Sequence, residues 1–260
     1  MKKLIAFDLD GTLAPSKSAA PDRIVELLGA LLDNFHVCVI SGGKFEQFNN
    51  QLLSNLKVEK KRLSKLHIMP TCGTRYYLYS PGTEAWEIVY AEDFSASQKD
   101  KITKTLREVT HNLGLDKAKV YGEQIEDRGS QISWSALGQD IVDVLGEEGV
   151  RQKEAWDPDN SRKLKIRDLI APLLPDFEVR AGGTTTIDIT KQGIDKAYGM
   201  QKLIEQLSIR KEDILFFGDK LQEGGNDYPV KAMGIDSLEV SDWHDTAFAL
   251  EAILHVVWLK

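Results

Sequence analysis

Leu4-Ile5-Ala6-Phe7-Asp8-Leu9-Asp10-Gly11-Thr12-Leu13 is a short apolar run that ends in two carboxylates on alternate residues, then a glycine and a hydroxyl. Strand alternation sends Asp8 and Asp10 to the same side. Two acids left together at a strand end are costly unless a cation or a reaction uses them. A matching pole lies near the other end of the chain: Phe216-Phe217-Gly218-Asp219-Lys220, followed by Gly224-Gly225-Asn226-Asp227. Together the two strand ends offer hard oxygen ligands for Mg²⁺ and a carboxylate able to attack phosphorus.

The rest of the chain narrows the class. At 260 residues, 42% hydrophobic and 28% charged, it can bury a sizeable core. A net charge of −7 argues against a sequence-independent nucleic-acid binder, which needs a basic face. Lys2 and Lys3 precede an apolar run that stops at Asp8, which reads as a first core strand and not a signal peptide. No apolar run approaches the roughly twenty residues of a membrane span. Cys38 and Cys72 lack CxxC spacing and nearby histidines, so free thiols in a reducing compartment are expected, not a zinc site. The expectation is a soluble, cytoplasmic α/β protein with no nucleic-acid or membrane partner.

Strand and helix alternate at first: Leu4–Phe7 and Val37–Ile40 read as strands, Pro21–Asn34 and Phe45–Leu56 as helices, and Leu66–Met69 as a third strand. Continuous apolar strands between helices indicate a parallel sheet covered on both faces. After Pro81-Gly82 the pattern changes. Trp86–Tyr90 alternates like an antiparallel strand, Ser97–Leu113 and Ser161–Leu173 read as helices, and Lys119–Tyr121 and Ser130–Ala136 as strands. Phe177–Arg180 and Thr184–Ile189, separated by Gly182-Gly183, read as a hairpin. Lys196–Leu207, Ile214–Phe217 and His244–Trp258 then resume the first pattern. The predicted organisation is a core domain of residues 1–82 and 190–260 with a second α+β domain, 83–189, inserted into it.

Each candidate residue has a chemical reason. Asp8, at the strand end, suits a nucleophile that becomes an aspartyl phosphate; Asp10 suits a general acid and base. Gly11 permits the turn and Thr12 can hydrogen-bond across the loop. Ser41-Gly42-Gly43 follows the second strand and opens a helix, where a hydroxyl and main-chain N–H groups suit a phosphoryl oxygen. Lys196 lies at a helix start, opposing the dipole, a conflict that a bound anion would relieve. Asp219 is a candidate Mg²⁺ ligand, with Asp227 or Asn226 completing the shell beside Asp8 and the Asp10 carbonyl. The five histidines show no triad or metal spacing, and Arg162, Lys163, Lys165 and Arg167 read as one solvated helix side.

Asp8-Leu9-Asp10-Gly11-Thr12, Ser41, Lys196 and Gly218-Asp219…Asn226-Asp227 resemble the four motifs of the haloacid dehalogenase superfamily, in order. An insert between the second and third motifs is similar to the type-2 cap of its IIB branch. The resemblance implies a three-layer Rossmann-like core with a parallel sheet, plus an inserted α+β cap of type C2b. Within that branch the motifs look most like those of eukaryotic-type phosphomannomutases. Thr186-Ile187-Asp188 sits where those enzymes bind sugar, and Arg128 resembles a cap arginine that grips a distal phosphate. The departures are Gln139 in place of a further arginine, Lys17 in the first loop and no arginine near Tyr121. Loss of a bidentate, always-charged clamp weakens a second phosphate site.

The reading is thus a Mg²⁺-dependent phosphatase of mutase-like architecture acting on a small phosphorylated metabolite of the sugar-phosphate class. Phosphomannomutase is the alternative. The resemblance also leaves open a homodimer formed through the cap. A phospho-receiver module uses a similar Asp and Lys set, but is shorter and takes phosphate at a later strand.

Overall fold

The computed structural model describes residues 2–117 and 119–258. In chain order the elements are β1 (Leu4–Phe7), α1 (Asp22–Asn34), β2 (His36–Ile40), α2 (Phe45–Gln51), α3 (Lys60–Leu63), β3 (Leu66–Met69), β4 (Arg75–Ser80) and β5 (Ala85–Ala91). There follow α4 (Ala96–Asn112), β6 (Ile125–Asp127), β7 (Gln131–Ser135), α5 (Ile141–Leu145), α6 (Glu147–Trp156), α7 (Ser161–Ile170), β8 (Phe177–Ala181) and β9 (Thr186–Lys191). The chain closes with α8 (Lys196–Leu207), β10 (Ile214–Gly218), α9 (Tyr228–Ala232), β11 (Asp236–Glu239) and α10 (Trp243–Trp258).

These elements form two compact units, Met1–Ala91 with Asp195–Lys260, and Glu92–Ile194. The first holds a seven-stranded sheet in the order β11-β10-β1-β2-β3-β4-β5. Its first five members run parallel, and β4 and β5 are antiparallel to their neighbours. The continuous apolar strands explain the layering. Ile5, Phe7, Val37, Val39, Leu66 and Ile68 pack against α1, α2 and α10 through Ile24, Leu28, Phe48, Leu250 and Leu254. Leu4, Ala6, Cys38, Ile40 and Phe216 face the other way, onto Met200 and Leu203 of α8 and Val230 of α9. Alternate side chains of each strand thus feed two cores, as a sheet covered on both faces requires.

The second unit is a four-stranded antiparallel sheet, β6-β7-β9-β8. One face, with Ile132, Trp134, Val179, Ile187 and Ile189, is covered by Ile102 and Leu106 of α4 and by Ile166 and Ile170 of α7. Ser95 starts α4 with a capping box: its hydroxyl accepts from Gln98 N–H at 3.3 Å and its own N–H donates to Gln98 Oε1 at 2.9 Å.

Several expectations change. Trp86–Tyr90 is a strand, but β5 pairs with β4 in the first sheet, so the boundaries move from 83 and 189 to 92 and 194. Alternation identifies β5 as antiparallel but cannot tell which sheet it joins. Lys119–Tyr121 is not a strand; Tyr121 N–H and C=O instead bond Leu137 and Asp140 as a loop. Phe45–Leu56 breaks after α2 into a short 3₁₀ turn. The helices α5 and α6 are additional to those expected, because Gly146 and Gly149 interrupt the apolar period there. Lys163 is buried, not solvated, with Nζ donating to Gly183 O at 2.7 Å. No helix among the described residues is long and apolar enough to cross a membrane.

Candidate active site

The site is built on the adjacent carboxyl ends of β1 and β10. Phe7 pairs with Phe217, and Asp8 N–H donates to Phe217 O at 3.0 Å, so Asp8 and the nearby Asp219 leave the sheet at the same edge. The loop after Asp8 is pinned by Leu13 N–H and Ala14 N–H on Leu9 O, at 2.9 and 3.1 Å. Gly11 has φ +85°, and a Cβ there would stand 2.6 Å from Asp219 Oδ2. Only glycine satisfies both the left-handed turn and that approach.

Lys196 enters from the first turn of α8. Its side chain is 1% exposed, and Nζ donates to Asp8 Oδ1 and, at 2.6 Å, to Asp227 Oδ1. Asp195 caps the helix by accepting Tyr198 N–H at 3.0 Å. The two carboxylates offset the unfavourable dipole position of the lysine, the role expected of a bound anion. Asp227 is fully buried at the start of α9, and its Oδ2 accepts Lys220 N–H at 3.1 Å.

The Asp8 carboxyl stands at about 7, raised first by burial and also by Asp227 and Asp219, against the lowering pull of Lys196. Burial also raises Asp219. Burial works against the Lys196 charge, but Asp227 and Asp8 outweigh it and hold the ammonium above its ordinary value. Three carboxylates therefore share one firmly charged ammonium. Their oxygens lie within 4.8 Å of one another, and Asp219 Oδ1 is buried with no hydrogen-bond partner among the described residues. A surplus of negative charge, an orphaned buried carboxylate oxygen and an all-oxygen donor set fit a hard divalent cation such as Mg²⁺.

Asp10 stands apart from this group. Asp10 is expected to offer the metal its main-chain carbonyl, and its carboxylate is turned to α2: Oδ2 accepts Gln47 Nε2 at 2.7 Å, and Oδ1 accepts Lys17 N–H at 2.7 Å and Gln51 Nε2 at 3.1 Å. Turn formation begins before Asp10, so strand alternation no longer places it beside Asp8. The two glutamines are functional candidates that motif reasoning passes over. Their signal is an i, i+4 polar pair on the helix that follows Ser41-Gly42-Gly43.

Ser41 is buried directly after β2, and its Oγ accepts Gly43 N–H at 3.4 Å. The Ser41-Gly42-Gly43 loop is moored to the turn after β3, with Cys72 N–H on Ser41 O at 2.9 Å and Thr71 N–H on Gly43 O at 3.0 Å. Thr12, expected to hydrogen-bond across its loop, has its hydroxyl buried with no partner among the described residues, and its carbonyl accepts Thr246 Oγ1 of α10 at 2.7 Å.

In the second unit a single cross-strand row reads Glu126, Ser133, Asp188, Arg180 over β6, β7, β9 and β8. Ser133 Oγ donates to Asp188 Oδ1 at 2.6 Å, and Gln131 Nε2 donates to Ser133 Oγ at 2.9 Å. Thr186 lies one pleat repeat from Asp188 and pairs with Ser135. Arg128 adjoins the row, its Nε donating to Glu126 Oε2 at 2.7 Å, with both side chains largely buried. Expected to grip a phosphate, Arg128 here carries a carboxylate partner.

Comparison with known proteins places this architecture. The family model described as haloacid dehalogenase-like hydrolase matches residues 5–229. Phosphomannomutase of Arabidopsis thaliana is 25% identical over 242 residues, covering 86% of this chain and 85% of its own. Among solved structures, IMP-nucleotidase of Plasmodium falciparum superposes with a TM-score of 0.68 at 18% identity, over 98% of this chain and 68% of that one. A haloacid dehalogenase-like hydrolase from Bacteroides thetaiotaomicron gives 0.64 at 17% identity, over 97% and 100%. The chain therefore belongs to the haloacid dehalogenase-like hydrolase family, as an enzyme of its phosphatase type with a phosphomannomutase-like sequence.

Proposed function

We propose that this protein is a Mg²⁺-dependent phosphatase that hydrolyses a small phosphate monoester, of the sugar-phosphate class, through an aspartyl phosphate on Asp8. The observation that carries this reading is the convergence of Asp8, Asp219 and Asp227 around Lys196 at the ends of β1 and β10. A cation held by Asp8, Asp219, Asp227 and the Asp10 carbonyl would neutralise charge on the phosphoryl oxygens.

The chain's own groups perform the rest. An Asp8 oxygen attacks phosphorus as the ester P–O bond breaks, and Asp10 gives its proton to the leaving alcohol oxygen. Asp10, now a carboxylate, takes a proton from the water that attacks the aspartyl phosphate. Inorganic phosphate leaves, and both acids return to their starting forms. Ser41 Oγ, the Gly42 and Gly43 N–H groups and Lys196 hold the phosphoryl oxygens, with Thr12 supporting the loop. Arg128, Thr186 and Asp188 are assigned to the substrate's organic part. Cys38 and Cys72, neither in a disulfide among the described residues, suit a cytoplasmic setting.

The Arg128–Glu126 pair favours hydrolysis over mutation of the phosphate position, because a mutase must hold a second phosphate and this guanidinium already has an anion. The phosphomannomutase relatives support the second reading. One paired assay with Mg²⁺ separates them: phosphate release from a panel of sugar phosphates, and interconversion of hexose 1- and 6-phosphates with a bisphosphate primer. Release without interconversion is expected, with Asp8→Asn lowering turnover by at least about 10⁴-fold. Interconversion with little release makes the protein a mutase; substantial activity in Asp8→Asn refutes the mechanism for both.

A further inference from the structure

The Asp10 carboxylate is held by three N–H donors, two of them from one helix face. Gln47 and Gln51 are one turn apart on α2 and both aim Nε2 at Asp10. Gln51 also donates to Ser18 O at 2.8 Å, and its main-chain carbonyl accepts Ala20 N–H at 2.7 Å, so the far end of the first loop is fastened to the same helix. The third donor, Lys17 N–H, comes from a non-glycine residue at φ +54°, a conformation that L side chains adopt at a cost. Gln51 is 3% exposed and leaves Oε1 buried with no hydrogen-bond partner among the described residues. An apolar residue of similar size would avoid that cost, so packing alone gives no reason for an amide here.

The bonds are unevenly shared between the two oxygens. Oδ1 accepts from both Lys17 N–H and Gln51, which uses both of its lone pairs. Among the described residues Oδ2 accepts only from Gln47, which leaves it one lone pair. Gln47 is itself braced, because its amide oxygen lies against the Cα of Gly43, where a Cβ would collide with it. The same amide thus touches the Ser41-Gly42-Gly43 loop on one side and Asp10 on the other.

We propose that Gln47 and Gln51 are positioning residues that fix the Asp10 carboxyl so that Oδ2 is the oxygen that gives and takes the proton. This rests on the acid–base role given to Asp10 above. Gln47 orients Oδ2 relative to the phosphoryl-binding loop, and Gln51 with Lys17 N–H prevents rotation about the Cβ–Cγ bond.

The test exploits leaving groups. A sugar alkoxide needs a proton to depart, whereas p-nitrophenolate does not. Gln47 is half-buried on a helix, so Gln47→Ala keeps the fold; Gln51→Met, near-isosteric, is the second variant. Rapid mixing measures the burst of p-nitrophenolate from p-nitrophenyl phosphate, and single turnover measures alcohol release from a sugar phosphate. Each glutamine variant is expected to slow the sugar phosphate about tenfold or more while the burst changes less than about twofold. Asp10→Asn, run alongside, is expected to give a larger split of the same kind, about 10²–10⁴-fold. Equal slowing of both substrates means a merely structural role and overturns the proposal, as does no effect on either. If Asp10→Asn splits the substrates and the glutamine variants do not, the positioning role alone fails. If Asp10→Asn shows no split, the acid–base reading fails and takes the positioning role with it.

Discussion

Lys196 and Asp227 meet at 2.6 Å although each stands at the start of a different helix, α8 and α9, with neither exposed to solvent. The lysine is the only cation bonded to the carboxylate group of Asp8, Asp219 and Asp227 among the described residues. Its position near a helix N-terminus is tolerable only because those acids surround it.

Lys196→Met leaves buried carboxylates without their partner. It is expected to lower stability by about 3–5 kcal/mol in metal-free buffer. Mg²⁺ should recover more of the melting temperature in the variant than in the wild type, because the cation replaces part of the missing charge. Calorimetry with EDTA and with Mg²⁺ checks both statements.

Asp8 and His67 predict opposite pH slopes. The folded Asp8 carboxyl, pushed up from 3.8 to about 7 chiefly by burial, binds its proton over a window where the unfolded chain has lost it. Its contribution therefore falls as pH rises from about 4 to about 7. His67 is pushed down from 6.5 to about 3, first by burial and then by His36, so its contribution is lost as pH falls through that range. In metal-free protein, the difference in melting temperature between wild type and Asp8→Asn should grow more unfavourable to wild type toward pH 7. His67→Gln should flatten the acid limb instead.

Gly11→Ala places a methyl against Asp219 at a residue with φ +85°. Strain of about 1–2 kcal/mol is expected, together with a displaced Asp219 carboxylate. The Mg²⁺ concentration for half-maximal activity should rise several-fold, and a metal titration of the phosphatase reaction reads it directly.

Glu126→Gln removes the charge that partners Arg128. Inhibition by a hexose bisphosphate should strengthen about tenfold, the worth of one charge-assisted hydrogen bond. An inhibition constant unchanged from wild type would place Arg128 outside the surface that meets the substrate.

The parts of this protein written in contiguous strings are legible in the amino-acid sequence alone. Apolar runs of four or five residues closed by Asp or Ser-Gly-Gly mark β1, β2 and β10 and their catalytic-type ends, because a parallel strand buried on both faces leaves no polar residue until it exits the sheet. Pairings between distant segments are not legible there. His36, His67 and Tyr76 show no spacing of interest, yet β2, β3 and β4 line them up at 2.9 and 2.8 Å. Arg128 keeps its place, but its Glu126 partner follows from a two-residue geometry that admits several side-chain directions.

Sequence by itself determined β1, β2, β3 and β10 of the first sheet, the family and the strand-end acids Asp8 and Asp219, since local apolar period and turn chemistry specify strand ends. The strands β4 and β11 carry no continuous aliphatic run and were not legible. Tertiary structure decided the sheet that receives β5, the pairing of Lys196 with two carboxylates and the capture of Asp10 by Gln47 and Gln51. Those depend on register and on where a helix lies over a loop, which arise from packing many side chains at once and from no single stretch of chain.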